Sequence, residues 1–565
     1  MRQRFDQLIL FFLKIFLDFY HDLLYIYIVK RARPNPGLTT PILGFSRETL
    51  QALDRESLIQ IVLNLQEEIH DHRIALQELK DELRRLKGEK GRPSLKPAVP
   101  DEPSQERTKR KTGQWRKSGK SITVTRQERL KIDRRLLPKD AVFKGTRKIL
   151  IQDIKILTDN VEFEIERYYS PSEKKTYEAS LPQDYDGSFF GPGIRHLVLA
   201  LHYQGRMPQK LLQTLLSGMG VLISEGEISA LLLKSRGFEE EQAAARQAGT
   251  EKHDYQHIDD TGARVCGKNG ATIVTGNKSF VAYRTGLHKD RLSALKALRG
   301  ADTLDYLIDD RALAYVRAKL PTTTLDAVLE RFKNRSFPQE SEFEAKVLGH
   351  RAIRRFRPGA LRYVREAAAI AAFQAQGATR RLVCDDAGQF KGLTDSLQLC
   401  WVHVARHFKD LDPVTLDFRR ILDGFLSATW AYYDELKVYK LAPTKRAKKM
   451  LFQEFDKIFK PDTGYYALDR RIKKVLSQKA ELLTVLEFPH TPLHNNPCEL
   501  DTREKVVQRK IRNCHRSLAG AKASDIFLGL MGTCRKNNVS FWDYLKDRIN
   551  KTRSIPELKE IILAD

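Results

Sequence analysis

Residues 252–286 read KHDYQHIDDTGARVCGKNGATIVTGNKSFVAYRTG. Runs rich in Val, Ile, Thr and Tyr alternate here with turn-forming pairs, which predicts three β-strands. Asn269-Gly270 and Gly276-Asn277 are the expected hairpin turns, because both pairs tolerate positive φ. Asp259 and Asp260 fall on the first strand. Further on, Arg381-Leu-Val-Cys384 is a short apolar run of strand type that ends in Asp385-Asp386 and continues Ala-Gly-Gln-Phe390. A third element opens at Asn495-Asn496-Pro497-Cys498-Glu499, where Asn496 reads as the N-cap, Pro497 as the first helical residue and Glu499 as lying one turn in. Strands alternating with helices give an α/β fold class, spread over several domains.

Two strands and a helix thus each carry a carboxylate. In-line cleavage of a phosphodiester uses two divalent cations roughly 4 Å apart, and holding them requires convergent carboxylates on rigid elements. Each acid also has a plainer reading: Asp at a strand end caps turns, and Glu499 suits the capping-box partner of Asn496. The ordered combination, and no single member of it, points to metal-dependent chemistry.

Composition narrows the partner. The 565 residues carry 98 Lys plus Arg against 72 Asp plus Glu, a net charge of +26, with 41% hydrophobic residues. Such a chain buries several cores and is neither a disulfide scaffold, a disordered chain nor a collagen-like fibre. The excess favours a polyanion, nucleic acid before membrane surface. It is uneven: residues 101–150, 311–380 and 491–565 hold +10, +8 and +5, whereas 251–310 and 381–410 together sum to zero. The six Cys are scattered without a Cys-x-x-Cys pair, which suits a reducing cytoplasm, in this case beside the nucleoid.

The expected organisation follows the chain. Residues 1–45 form an apolar leader in which Lys14, Asp18, His21 and Asp22 interrupt any membrane span, and no signal-peptide cleavage site follows. Within 46–88, Val62, Ile69, Leu76 and Leu83 fall at one heptad position and Leu58, Leu65, Leu79 and Leu86 at the other, which predicts a coiled coil and a homodimer or higher assembly. Residues 89–145 are a basic flexible linker. Residues 146–248 read as β-strands followed by a helix-turn-helix-like DNA-binding domain, one of whose helices is opened by Ser224 with Glu227 at the capping-box position. The catalytic region runs over 249–410, with a basic insertion at about 311–378; a helical insertion follows at 411–490, and C-terminal helices with a basic tail complete 491–565.

Several motifs occur in a fixed order: Asp259-Asp-Thr-Gly-Ala-Arg264, Asp385, Cys400-Trp401-Val-His403-Val-Ala-Arg406-His407-Phe408, and Asn495-Asn-Pro-Cys-Glu499. Together with Gln508-Arg509-Lys510-Ile-Arg512-Asn-Cys-His-Arg516 in the tail, this series resembles the bacterial DDE transposases of insertion-sequence family sixty-six. The likeness runs over most of the chain from about residue 50. It implies an RNase H-like core in which Asp259, Asp385 and Glu499 hold two Mg²⁺ ions, with Mn²⁺ as a substitute. It also implies cleavage and joining of double-stranded DNA, at the ends of a mobile element and at a target, with small accessory proteins encoded by the same element and no membrane.

The sequence departs from that family's pattern in three ways. Asp-Asp-Ala-Gly-Gln-Phe stands where the family has Asp-Gly-Tyr, which leaves Asp386 a rival to Asp385. The 126 residues from Asp259 to Asp385 leave Asp309 and Asp310 as further rivals. The family's N-terminal Cys-rich zinc finger is absent. Cys400 and His403, with His407 a turn on, have the composition of soft-metal ligands, but one thiolate without a second Cys pair favours packing beneath the site. Asn495 and Asn496 are expected to support the motif. Arg503, Arg509, Lys510, Arg512 and Arg516 recur near Glu499 and are expected to hold DNA phosphates. Two other readings suit the same residues: an inactive or domesticated transposase that only binds DNA, and an RNase H-like nuclease without strand transfer.

Overall fold

The computed structural model describes residues 124–564, apart from 183–184, 186–188, 321–322, 378 and 414. The leader, the heptad segment and most of the basic linker lie outside the described residues. The chain divides into two units, 1–144 and 145–565. In the described part of the first, 124–144, the residues are exposed around one short turn, Arg134–Leu136.

The second unit begins with an exposed segment. Residues 145–166 alternate apolar and polar side chains as the sequence suggested, yet Ile149, Ile151, Ile154 and Leu157 are all exposed and no regular strand forms there. Only the hairpin β1 (Arg167–Ser170) and β2 (Lys175–Glu178) is made. Alternation produces a strand when it has a face to bury, and here no partner sheet supplies one.

The main sheet has five strands: β3 (Tyr255–Val265), β4 (Lys268–Gly276), β5 (Val281–Gly286), β8 (Arg381–Cys384) and β9 (Ser396–Leu399), in the order β5-β4-β3-β8-β9. β3, β4 and β5 are joined antiparallel, whereas β8 and β9 run parallel to β3. This mixed sheet is consistent with an RNase H-like core. The first hairpin turn is not at Asn269-Gly270 but at Cys266-Gly267, with φ of +50° and +75°. Asn269 and Gly270 instead pair within the ladder, opposite Arg264 and Ala263. Gly270 is needed for close approach, since a Cβ there would stand 2.1 Å from the Gly286 carbonyl oxygen. The second turn is displaced as well: Gly276 pairs with Val281 in the ladder and the Asn277 N–H with the Phe280 carbonyl, so the turn falls at Lys278-Ser279, where Asn277 Oδ1 accepts the Ser279 N–H at 2.9 Å.

The crossover from β5 to β8 contains the basic insertion, which folds as a small two-stranded sheet of β6 (Tyr306–Ile308) and β7 (Arg335–Phe337) covered by helices, including Pro358–Gln376. Tyr306 and Phe343 stack there at 4.4 Å within the same core as Ile258 and Leu382 of the main sheet. The helices Leu416–Leu441, Lys445–Ile458 and Tyr466–Ser477 follow, and their side chains share a core with Trp401, whose indole donates to the Leu482 carbonyl at 3.1 Å.

The helices Pro192–Leu199, Gln209–Gly218, Glu225–Leu233 and Arg236–Lys252 share one core with the C-terminal helices Leu518–Lys536, Phe541–Ile549 and Leu558–Ala564, through Leu212, Ile228, Phe238, Phe527, Leu530 and Tyr544. The Ser224–Glu227 capping box is made in both directions. The helix it opens exposes Glu225 and Glu227, an acidic end poorly suited to a DNA groove. Among the described residues no helix is long and apolar enough to cross a membrane.

Candidate functional site

Register brings the two aspartates together. His257 of β3 pairs with Val383 of the parallel strand β8. Asp259 lies two residues beyond that pair on β3 and Asp385 two residues beyond it just past the end of β8, close enough for the Asp385 charge to act on Asp259. The next residue in each pair, Asp260 and Asp386, is by contrast supplied with partners. Lys289 Nζ lies 2.7 Å from Asp260 Oδ1, and the Gln389 amide donates to Asp260 Oδ2 at 2.6 Å. Asp386 meets Lys391 at 2.5 Å, Lys474 at 2.6 Å and the Gln478 amide. Burial works against ionisation of Asp386, but Lys391 and Lys474 outweigh it and hold its carboxyl below the usual range.

No lysine or arginine neutralises Asp259 or Asp385 in this way among the described residues. Asp259 accepts the N–H of Asp260 at 2.8 Å, and Asp385 accepts the N–H of Ala387 at 3.2 Å. Burial, with the neighbouring charges of Asp385 and Asp260, pushes the Asp259 carboxyl up to about 6. The rivals Asp309 and Asp310 are engaged elsewhere. Asp309 caps the helix Asp310–Lys319 through the N–H groups of Arg311 and Ala312, and Asp310 pairs with Lys333.

The third acid arrives on the helix Asn496–Arg512, which lies against the Asp259 face of β3 and β4. Its N-cap is Asn495, one residue earlier than expected, and the Asn495 side chain caps nothing. It turns inward instead: its amide donates to the Ile258 carbonyl at 2.9 Å and its oxygen meets His257 Nδ1 at 2.8 Å, while its backbone N–H points at Cys400 Sγ, 3.2 Å away. Asn495 therefore ties the helix start to β3 one residue before Asp259. Cys498, in the first turn, donates to the carbonyl of Val274, the ladder partner of Asp259.

Glu499 lies in that same turn, but its carboxylate contacts Arg406 at 3.3 Å and stands 3.7 Å from His403 Nδ1. Arg406 lay inside a quoted motif without being singled out; its position one turn after His403 was the available signal. Asn496 is exposed.

The predicted phosphate contacts divide. Arg503, Lys510 and Arg516 are exposed, and Arg509 is half-buried, near Gly262 of β3. Arg512 turns inward to His202 and Gln508 over the Tyr203 ring, and burial lowers its guanidinium to about 10, so it holds the fold and is not free for a phosphate.

Hard divalent cations take oxygen ligands. Asp259 and Asp385 supply oxygen only, carry charge that no cationic side chain offsets, and sit at the end of a rigid parallel pair. They suit Mg²⁺ or Mn²⁺, whereas the Glu499 carboxylate is grouped with Cys400 and His403 and pairs with Arg406.

Comparison with known proteins agrees with the motif order. Residues 355–523 match the family described as Transposase IS66 family. A protein of Sinorhizobium fredii (strain NBRC 101917 / NGR234), described as "Uncharacterized protein y4jO", is 35% identical over 304 residues, covering 54% of this chain and 94% of that protein.

Proposed function

This chain belongs to the Transposase IS66 family, and from that premise we propose that it cuts and joins DNA at the ends of a mobile element, using Asp259, Asp385 and Glu499. Membership implies a DDE transposase function and DNA binding. The observation that carries the finer reading is the division within each Asp-Asp pair: Asp260 and Asp386 are neutralised by lysines, whereas Asp259 and Asp385, close to each other, are not.

Two Mg²⁺ ions held by these acids would assist the attacking oxygen and stabilise the leaving oxygen in an in-line displacement. The protein's part is to keep the acids charged, convergent and rigid. β3 and β8 set the spacing of the aspartates through their ladder, and Asn495 sets the approach of the helix bearing Glu499. Arg503, Lys510 and Arg516, along and beyond that helix, hold phosphates of the bound duplex. In the first reaction water adds to phosphorus at the element end and the 3′-oxygen leaves. In the second, that 3′-hydroxyl attacks a target phosphodiester and expels a target 3′-oxygen, with no covalent protein intermediate.

The test is a strand-transfer assay with the full chain, Mg²⁺, a pre-cleaved element end and a target duplex. Joined products support the proposal. Cleavage without joining would identify a nuclease, and binding without either reaction a DNA-binding protein only.

A further inference from the structure

We infer that Cys400, His403 and Glu499 form a binding site for a soft divalent cation of the Zn²⁺ type, beside the Asp259–Asp385 pair and distinct from it in chemistry. Cys400 follows β9 as the N-cap of the helix Trp401–Lys409, so His403, three residues on, lies on the same side of its first turn. Glu499 comes from the facing helix. The thiol sulfur, a ring nitrogen and a carboxylate oxygen of the three all lie within 4.8 Å of one another.

Two polar atoms there are left without protein partners. His403 Nδ1 and Glu499 Oε1 are both buried and make no hydrogen bond, and the 3.7 Å between them is too long for one. Buried lone pairs left in this way cost stability, typically about 1–3 kcal/mol each. The buried sulfur of Cys400 receives the Asn495 N–H at 3.2 Å, with the backbone N–H groups of His403 and Val402 also directed at it. One cation placed among the three would satisfy all of them. A set of one sulfur, one imidazole nitrogen and one carboxylate oxygen is a borderline-soft donor set that favours Zn²⁺ over Mg²⁺ and leaves a fourth position to water. Arg406, the present partner of Glu499, is 52% exposed and free to swing into solvent as the cation enters.

Glu499 would then serve two sites of opposite preference. Resting on the proposed function, Zn²⁺ at Cys400 withdraws the third carboxylate's charge from Mg²⁺ and suppresses strand transfer.

The binding itself is tested without DNA. The full-length chain is titrated with Co²⁺ as a spectroscopic stand-in for Zn²⁺. One equivalent should give the near-ultraviolet sulfur-to-cobalt charge-transfer band, which Cys400→Ser should abolish. His403→Gln should weaken binding about tenfold or more. Removing the two exposed thiols together, Cys266→Ser with Cys514→Ser, should leave the band intact. A wild-type chain that gives no thiolate band, or a band that survives in a folded Cys400→Ser variant, overturns the site. If Cys400→Ser does not fold, His403→Gln decides: an unchanged Co²⁺ affinity overturns the site. Because no DNA reaction is read, absence of transposition leaves this result intact, and the proposed function fails separately in the strand-transfer assay.

Discussion

Asp259 and Asp525 are two largely buried carboxylates beside the helix Asn496–Arg512, and their surroundings could hardly differ more. Asp525 accepts the Thr285 N–H at 2.6 Å, the Thr285 hydroxyl at 2.8 Å and the Lys505 ammonium at 2.6 Å. Asp259 accepts the N–H of its own neighbour, faces another acid, and holds its proton up to about 6. A carboxylate that is fully paired fastens the C-terminal helix to the sheet, while one left under-paired stores charge for something outside the protein.

The sharpest way to break this contrast is at the under-paired end. Asp385→Asn should lower strand transfer by about a thousand-fold or more, the several kcal/mol that cation-mediated charge stabilisation supplies, and leave DNA affinity nearly unchanged. Glu499→Gln should do the same, and an active variant of either would remove that residue from the site. At the paired end Asp525→Ala should cost about 3–5 kcal/mol in urea unfolding, because Lys505 is left buried and uncompensated; a loss under 1 kcal/mol would refute its structural role.

Asp259 should also show itself in stability. Its carboxyl keeps a proton to higher pH in the folded chain than in the unfolded one. Between the ordinary carboxylate range and about 6 the native state therefore binds more protons, and stability falls as pH rises. Without divalent cations, Asp259→Asn should stabilise the chain by up to about 2 kcal/mol at pH 7 and by nothing at pH 4. An equal effect at both would sink the argument. The smallest change is expected at Lys391→Met. Asp386 keeps Lys474 and Gln478, the Lys391–Asp386 pair is partly exposed, and the loss should stay within about 1 kcal/mol in thermal melts.

The sequence made the sheet and its acids legible because their signals are local. Strand composition marked β3 to β5 and β8, and the proline near Asn496 marked the start of the Glu499 helix. The first hairpin turn was missed because Gly270 serves strand packing, a contact with Gly286 that no local pattern reveals. The same limit hid the engagement of Arg512 with His202, 310 residues away. It also hid the lysines on Asp260 and Asp386: Lys474 reaches Asp386 from the helical insertion, where it reads as one of many surface cations. Of the strands expected after 146, the hairpin at Arg167–Glu178 formed, whereas residues 145–166 had the alternation and no face to bury.

One consequence of the β3–β8 pairing concerns tolerance to change. The register that sets Asp259 beside Asp385 is written in three residue pairs, Tyr255–Arg381 to His257–Val383, while the long crossover between the strands adds its side chains to the core behind Ile258 and Leu382. Closing a longer loop costs little more than closing a shorter one, since the entropy grows only with the logarithm of length. The crossover can thus lengthen at its exposed loops, where no core is shared, while the two aspartates stay where they are.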